Sequence, residues 1–105
     1  MLHGKTALVT GSSQGIGLGV AQAFAANGAA VVATSEKPLE RCPDVQRLLS
    51  DYPAARYIQA DLLTDGEAER LAAEAWAAMG GVDVLVNNVG TYKEPAFLDL
   101  TRDHF

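Results

Sequence analysis

The residues of this sequence that could do chemistry fall in four short groups, each following a run of β-branched or small apolar residues. Gly11, Gly15 and Gly17 follow the first run, Ser35 and Glu36 the second, Asp61 the third, and Asn87-Asn88-Val89-Gly90 the fourth. A glycine turn lets backbone amides approach an anion, and a helix opening there aims its unpaired N–H groups and positive dipole end at phosphate oxygens. Gly11 suits the tight turn, Gly15 the close approach of backbone to a pyrophosphate, and Gly17 the close packing of helix on sheet. Ser12 and Ser13 can add hydroxyl donors. Glu36 stands nineteen residues beyond Gly17, near the spacing of about 20 at which an acid reaches a ribose hydroxyl. Three glycines also occur as a plain tight turn. The position of this loop, after a strand pattern and before a helix pattern with an acid downstream, favours the phosphate reading. No Gly-Lys-Ser/Thr follows the turn, so it is not a Walker loop.

The elements that must position these groups alternate between short β-branched runs and helical patterns, the signature of βαβ units on a parallel sheet. The pattern predicts strands over Lys5–Thr10, Ala30–Thr34, Arg56–Ala60 and Val82–Asn87. Between them, Ile16, Val20, Ala23 and Phe24 lie on one face of a first helix that Asn27-Gly28 stops. Pro43 opens a second helix whose face carries Val45, Leu48, Leu49 and Tyr52, and Pro53 ends it. Thr64-Asp65-Gly66-Glu67 reads as a capping box for a third helix, with Ala68, Leu71, Ala72, Ala75 and Met79 as its buried stripe and Gly80-Gly81 as its stop. Right-handed crossovers run all four strands in one direction, so the chemical groups gather along the carboxyl edge of the sheet, where open α/β sheets bind ligands.

Composition narrows the function classes. The 105 residues make at most one domain, and 49% hydrophobic content supplies a core. A net charge of −5 has the wrong sign for holding phosphate backbones, which argues against a nucleic-acid partner. The charge-free stretch Thr6–Ser35 is broken by Gly11–Gly15 and Asn27-Gly28 into pieces shorter than the roughly 20 residues of a spanning helix, so no membrane segment is expected. The amino terminus shows no signal-peptide pattern. The single cysteine, Cys42, has no disulfide partner and no ligand at metal spacing, which fits a reducing cytoplasm and no metal site. Thr101 reads as an N-cap with Arg102–Phe105 opening a helix, so residues 1–105 are expected to be the first part of a longer domain.

Thr10-Gly11-Ser12-Ser13-Gln14-Gly15-Ile16-Gly17 resembles the T-G-x-x-x-G-I-G fingerprint of the short-chain dehydrogenases/reductases. Asn87-Asn88-Val89-Gly90 is similar to their N-N-A-G motif, with valine for alanine, and Asp61-Leu62 matches the acid-hydrophobic pair they place beside the adenine. The resemblance implies the first half of a Rossmann-type, doubly wound α/β sheet, with four strands in the order 3-2-1-4. It implies that Gly11, Ser12, Ser13, Gln14, Gly15, Ile16 and Gly17 hold the pyrophosphate and adenosine ribose, with Ser35 and Glu36 at the ribose and Asp61 and Leu62 at the adenine. Asn88 and Gly90 would line the cleft, and Asn87 would tie the central strands. Family members move a hydride between a nicotinamide dinucleotide and an alcohol or carbonyl substrate, and many are homo-oligomers.

Two departures qualify that implication. The family's catalytic serine and Tyr-x-x-x-Lys pair lie beyond its N-N-A-G motif, and no such pair occurs here: Tyr52 is followed four residues later by Arg56, Tyr57 by Asp61 and Tyr92 by Ala96. No catalytic residue is therefore assigned, and the 105-residue chain alone is expected to be inactive. Family members that take NAD usually end the second strand in an acid, where this chain has Ser35 with Glu36 next; those that take NADP often carry Arg or Lys where Gln14 stands. Glu36 would repel a 2′-phosphate and favours NAD, while Lys37 keeps NADP open. Two other readings compete with an oxidoreductase half: a non-catalytic nucleotide-binding module, and a fragment that pairs with a complementary chain through its unpaired strand edge. Tyr92, Lys93 and Glu94 read as a solvated loop, Trp76 as helix packing, and His3 and His104 as exposed terminal residues.

Overall fold

The computed structural model of the chain describes residues 3–86. Four parallel strands, β1 (Thr6–Val9), β2 (Ala30–Ser35), β3 (Arg56–Gln59) and β4 (Val84–Val86), form one sheet in the order β3-β2-β1-β4. This is the expected Rossmann-type half-sheet. Three helices connect them: α1 (Gly15–Ala26), α2 (Pro43–Asp51) and α3 (Glu67–Met79), with a 3₁₀ turn over Leu39–Arg41 that no sequence pattern announced. Register aligns the carboxyl ends: Val9 pairs with Ala33 and Val86, and Ser35 with Gln59.

Because successive strand residues face opposite sides, the sheet divides the core in two. Val9, Val31 and Ala33 pack with Leu18, Ala21 and Ala25 of α1 and Val45 and Leu48 of α2. Leu8 and Val32 pack with Leu71, Ala72 and Ala75 of α3 on the other side. β1 is buried throughout and β2 almost so, as strands covered on both faces must be, whereas β3 at the sheet edge has exposed ends. The amino end of β1 is closed on the chain before β4 by a reciprocal pair. Thr6 N–H donates to Asp83 Oδ2 at 2.9 Å, and Asp83 N–H donates back to Thr6 O at 2.9 Å.

Three sequence expectations are corrected here. The buried face of α1 is Gly17, Leu18, Ala21 and Ala25; of the expected face Val20 and Phe24 pack partly buried against the same core, while Ile16 is 79% exposed and Ala23 also faces out. With Gly17 set against the sheet, helical spacing carries Leu18, Ala21 and Ala25 inward and swings Ile16 to the carboxyl edge. The capping box does not form. Gly66, at φ +86°, is itself the N-cap, so Glu67 opens the helix rather than reaching back to it, and Thr64 Oγ1 donates to Asp61 Oδ2 at 3.2 Å. Third, β4 is shorter than predicted, since Val82 and Asp83 precede the ladder. The stops at Asn27-Gly28 and Gly80-Gly81 do form, with Asn27 Nδ2 donating to Ala23 O and Gly80 left-handed at φ +74°. Among the described residues no helix is long and apolar enough to cross a membrane, and no cluster of His, Cys, Asp and Glu could hold a metal ion.

Candidate functional site

The first turn is built by its glycines. Gly11 at φ +59° and Gly15 at φ +63° occupy the left-handed region that side chains disfavour, and between them the chain crosses from the end of β1 to the start of α1. Gln14 is the N-cap of α1 in extended conformation; no side chain caps the helix and no acid sits in its first turn. The first-turn amides, which have no intrahelical acceptor, therefore open toward the carboxyl edge. Among the described residues, a Cβ placed on Gly15 would meet nothing within 4 Å beyond its own helix and chain neighbours.

Ser12 works from inside the loop. Its hydroxyl donates to Val9 O at 2.8 Å and accepts from Thr34 N–H at 2.9 Å, while Ser12 N–H donates to Thr34 O at 3.0 Å. This stitches the turn to β2 and leaves the fully buried hydroxyl no proton for a ligand, which corrects the expectation that Ser12 is a phosphate donor. Ser13 is half-buried at the cleft wall and keeps that possibility. Gly17 lies on the buried face of α1.

The cleft runs along the carboxyl edge in two chambers that share Gly11, Ser35 and Glu36. One, of about 420 Å³, is lined by Ser13, Gln14, Gly15, Ile16 and Lys37; the other, of about 360 Å³, by Thr34, Ala60, Asp61, Leu62 and Leu63. Of the predicted residues, Gly11, Ser13, Gln14, Gly15, Ile16, Ser35, Glu36, Asp61 and Leu62 thus come together, Ser12 and Gly17 lie behind the wall, and Asn88 and Gly90 lie outside the described residues. Thr34, Ala60 and Leu63 were missed; each adjoins a predicted residue, and only the strand ends could have pointed to them. Two large apolar side chains stand exposed at this cleft, Ile16 at 79% and Leu63 at 66%. Thr34 Oγ1, wholly buried, finds no partner among the described residues.

Charge is placed at the seam of the chambers. Glu36 is exposed, and Lys37 Nζ donates to Gln14 Oε1 at 3.3 Å, bridging from the β2 end to the glycine loop. Asp61 is exposed, its carboxylate accepting from Leu63 N–H at 3.1 Å and from the Thr64 hydroxyl. Behind it, Arg70 pairs with Glu67 at 2.6 Å and Glu74 at 3.0 Å and donates to Gln59 O at 2.6 Å, tying α3 to the sheet edge. The Arg70 guanidinium holds the Glu67 carboxyl below its ordinary range.

Tyr57 lies behind Ser35. Burial pushes its phenol from 10.0 up to about 12, with the Cys42 thiol 3.8 Å away acting in the same sense and the Ser35 hydroxyl at 2.7 Å opposing it. The folded state keeps this proton where the unfolded chain has lost it, so the stability it lends is complete below pH 10 and drains away as pH rises toward 12. Thermal melts across that window should show the midpoint of the parent falling more steeply than that of Tyr57→Phe; parallel falls would place the phenol in an ordinary aqueous setting.

The site therefore offers uncapped helix amides beside left-handed glycines, an acid at the end of β2 and a second acid past β3, the donor and acceptor set of an anionic nucleotide. A family model described as short chain dehydrogenase matches residues 5–105. D-beta-hydroxybutyrate dehydrogenase of Cupriavidus necator is 38% identical over 105 residues, covering 100% of this chain and 41% of its own length. Among solved structures, the NADP active-site complex of RhlG from Pseudomonas aeruginosa is similar at 41% identity and a TM-score of 0.76, over 86% of this chain and 35% of that one. A metagenomic short-chain oxidoreductase in complex with NADP is similar at 33% identity and a TM-score of 0.75, over 86% of this chain and 41% of that one. The chain spans about two-fifths of the length of the curated relatives it matches.

Proposed function

The chain belongs to the short-chain dehydrogenase/reductase family, and from that premise we propose that it is the dinucleotide-binding part of an NAD(P)-dependent oxidoreductase acting on an alcohol or carbonyl substrate. The observation that carries this reading is the left-handed Gly11–Gly15 turn, which feeds uncapped helix amides into a cleft bounded by Glu36 and Asp61. Gly15 and the first turn of α1 would hold the pyrophosphate, Ser35 and Glu36 the ribose, and Asp61 and Leu62 the adenine. Ile16 and Leu63 are the apolar surface that the nucleotide covers, which accounts for two large side chains left in water. By the same resemblance Asn88 and Gly90 line the cleft further along. When bound, the dinucleotide supplies the hydride chemistry; these residues hold and orient it.

Glu36 favours NAD, because its carboxylate stands where a 2′-phosphate would lie, while Lys37, held toward Gln14, is the residue through which NADP is tolerated. The solved relatives with NADP support the cofactor class. The substrate pocket, a homo-oligomeric assembly and a cytoplasmic setting, with Cys42 as a reduced buried thiol, belong to the complete enzyme. These 105 residues contain no Tyr-x-x-x-Lys pair, and the 105-residue polypeptide by itself turns over no alcohol. Calorimetric titration of this polypeptide with NAD and with NADP should give binding to both, tighter for NAD, while absorbance assays with simple alcohols show no reduction of either. Absence of heat with both dinucleotides would overturn the binding assignment, and turnover would overturn the assignment of an inactive part.

A further inference from the structure

One hydroxyl in this molecule organises a segment it is far from in sequence. Tyr57 pairs with Ala33 in the sheet and so points to the α1–α2 side, where its phenol reaches past the end of β2. A phenol has one proton, and Lys37 O can only accept, so Tyr57 Oη donates to Lys37 O. Its lone pair is then free to accept from the Ser35 hydroxyl at 2.7 Å, and Ser35 Oγ in turn accepts from Lys37 N–H at 3.2 Å. The donors and acceptors close a ring: Lys37 amide to Ser35, Ser35 to Tyr57, Tyr57 to the Lys37 carbonyl. Glu36 sits in the middle of the segment that this ring encloses.

Two further carbonyls of the segment are held from β3 and the residue after it. Gln59, two residues on and on the same face of β3 as Tyr57, donates through Nε2 to Glu36 O at 3.0 Å. Ala60 N–H donates to Ser35 O at 2.9 Å. The Glu36 side chain projects from this frame and lines both chambers of the cleft. Cys42, 2% exposed, lies 3.8 Å from the phenol.

We infer that Tyr57 is a positioning residue for cofactor discrimination: through Ser35 and Lys37 it fixes the backbone from which Glu36 meets the 2′ position of the bound dinucleotide. This rests on the dinucleotide reading above. With the ring broken, Glu36 and Lys37 sample several arrangements, and a 2′-phosphate is no longer met by a fixed negative charge. Selectivity falls while the glycine turn, which the ring does not touch, still binds.

The test is calorimetric titration of the 105-residue chain and its Tyr57→Phe, Ser35→Ala, Glu36→Gln and Tyr57→Phe/Glu36→Gln variants with NAD, NADP and 5′-AMP. Tyr57→Phe keeps the ring volume and should lower the NAD-over-NADP preference at least fivefold, with 5′-AMP affinity within twofold of the parent. Ser35→Ala, which cuts the same ring at another point, should also lower the preference; because Ser35 itself lies at the ribose, the 5′-AMP comparison is made with Tyr57→Phe alone. Adding Glu36→Gln to Tyr57→Phe should change the preference little further, because both act through one carboxylate. Binding by the parent with an unchanged preference in both Tyr57→Phe and Ser35→Ala overturns the inference alone, as does strict additivity in the cycle. No dinucleotide binding by the parent removes the underlying reading, and the inference with it.

Discussion

Replacing Gly15 by valine is expected to weaken dinucleotide binding about a hundredfold, a loss of ~2.7 kcal/mol, while leaving the chain folded. The two halves of that expectation have separate origins. Gly15 stands at φ +63°, where a side chain costs roughly 1–2 kcal/mol of backbone strain. Among the described residues no atom outside its chain neighbours and its own helix backbone lies within 4 Å of the Cβ position, so packing there adds nothing to that cost. What the new side chain does occupy is the space in front of the first helix amides, where the diphosphate must come within hydrogen-bond distance. Gly80→Val is the matched control: it has φ +74° and equally open surroundings, but caps the far end of α3. Urea melts of the two variants should shift alike, and only Gly15→Val should lose affinity. Equal affinities for the two variants would show that the diphosphate does not sit at this turn.

Exchanging Glu36 for arginine should reverse the preference between NAD and NADP, with a swing of about a hundredfold in the ratio of their dissociation constants. A unit charge pair at 4 Å in water is worth about 1 kcal/mol. Turning a repulsive carboxylate into an attractive guanidinium against a phosphate bearing about −1.5 to −2 charges therefore changes the balance by some 2–3 kcal/mol after screening. Glu36→Ala should fall between parent and arginine variant. Because Glu36 is exposed, neither change should move the melting temperature by more than a few degrees. A ratio that stays put in both variants would place the 2′ position away from Glu36.

Much of this was readable from residue order alone, for a physical reason: glycines at φ above zero, β-branched runs and helix stops are local demands, met or failed within a few residues. The glycine turn, the strands themselves and the stops of α1 and α3 are of that kind, whereas the strand order is what the family resemblance implies. Misreadings arose where two local solutions compete. Thr64-Asp65-Gly66-Glu67 has the spacing of a capping box, yet Gly66 accepts the left-handed N-cap and hands Glu67 to Arg70. Ile16 has the spacing of a buried stripe, yet the stripe one position on, through Gly17 and Leu18, is the one that meets the sheet. Ser12 looked like a donor because Thr34, which uses its lone pair, becomes a neighbour only when β1 and β2 pair, and that pairing fixes its proton on Val9 O three residues back. The Tyr57 ring was beyond reach for the same cause: Ser35 is twenty-two residues and Lys37 twenty residues away, and only the β2–β3 register brings them together.

The reciprocal pair between Thr6 and Asp83 bears on how the chain finds its shape. It joins residues 77 apart, whereas Thr6 meets Ala30 of β2 after only 24. Loop-closure entropy grows as the logarithm of length, so the distant junction costs only about 1 kcal/mol more than the near one. Two well-aligned hydrogen bonds, at roughly 0.5–1.5 kcal/mol each, repay that difference. Bringing the last strand home across three-quarters of the polypeptide thus carries almost no topological penalty, and the assembly sequence is left to the side chains rather than to the length of the tether.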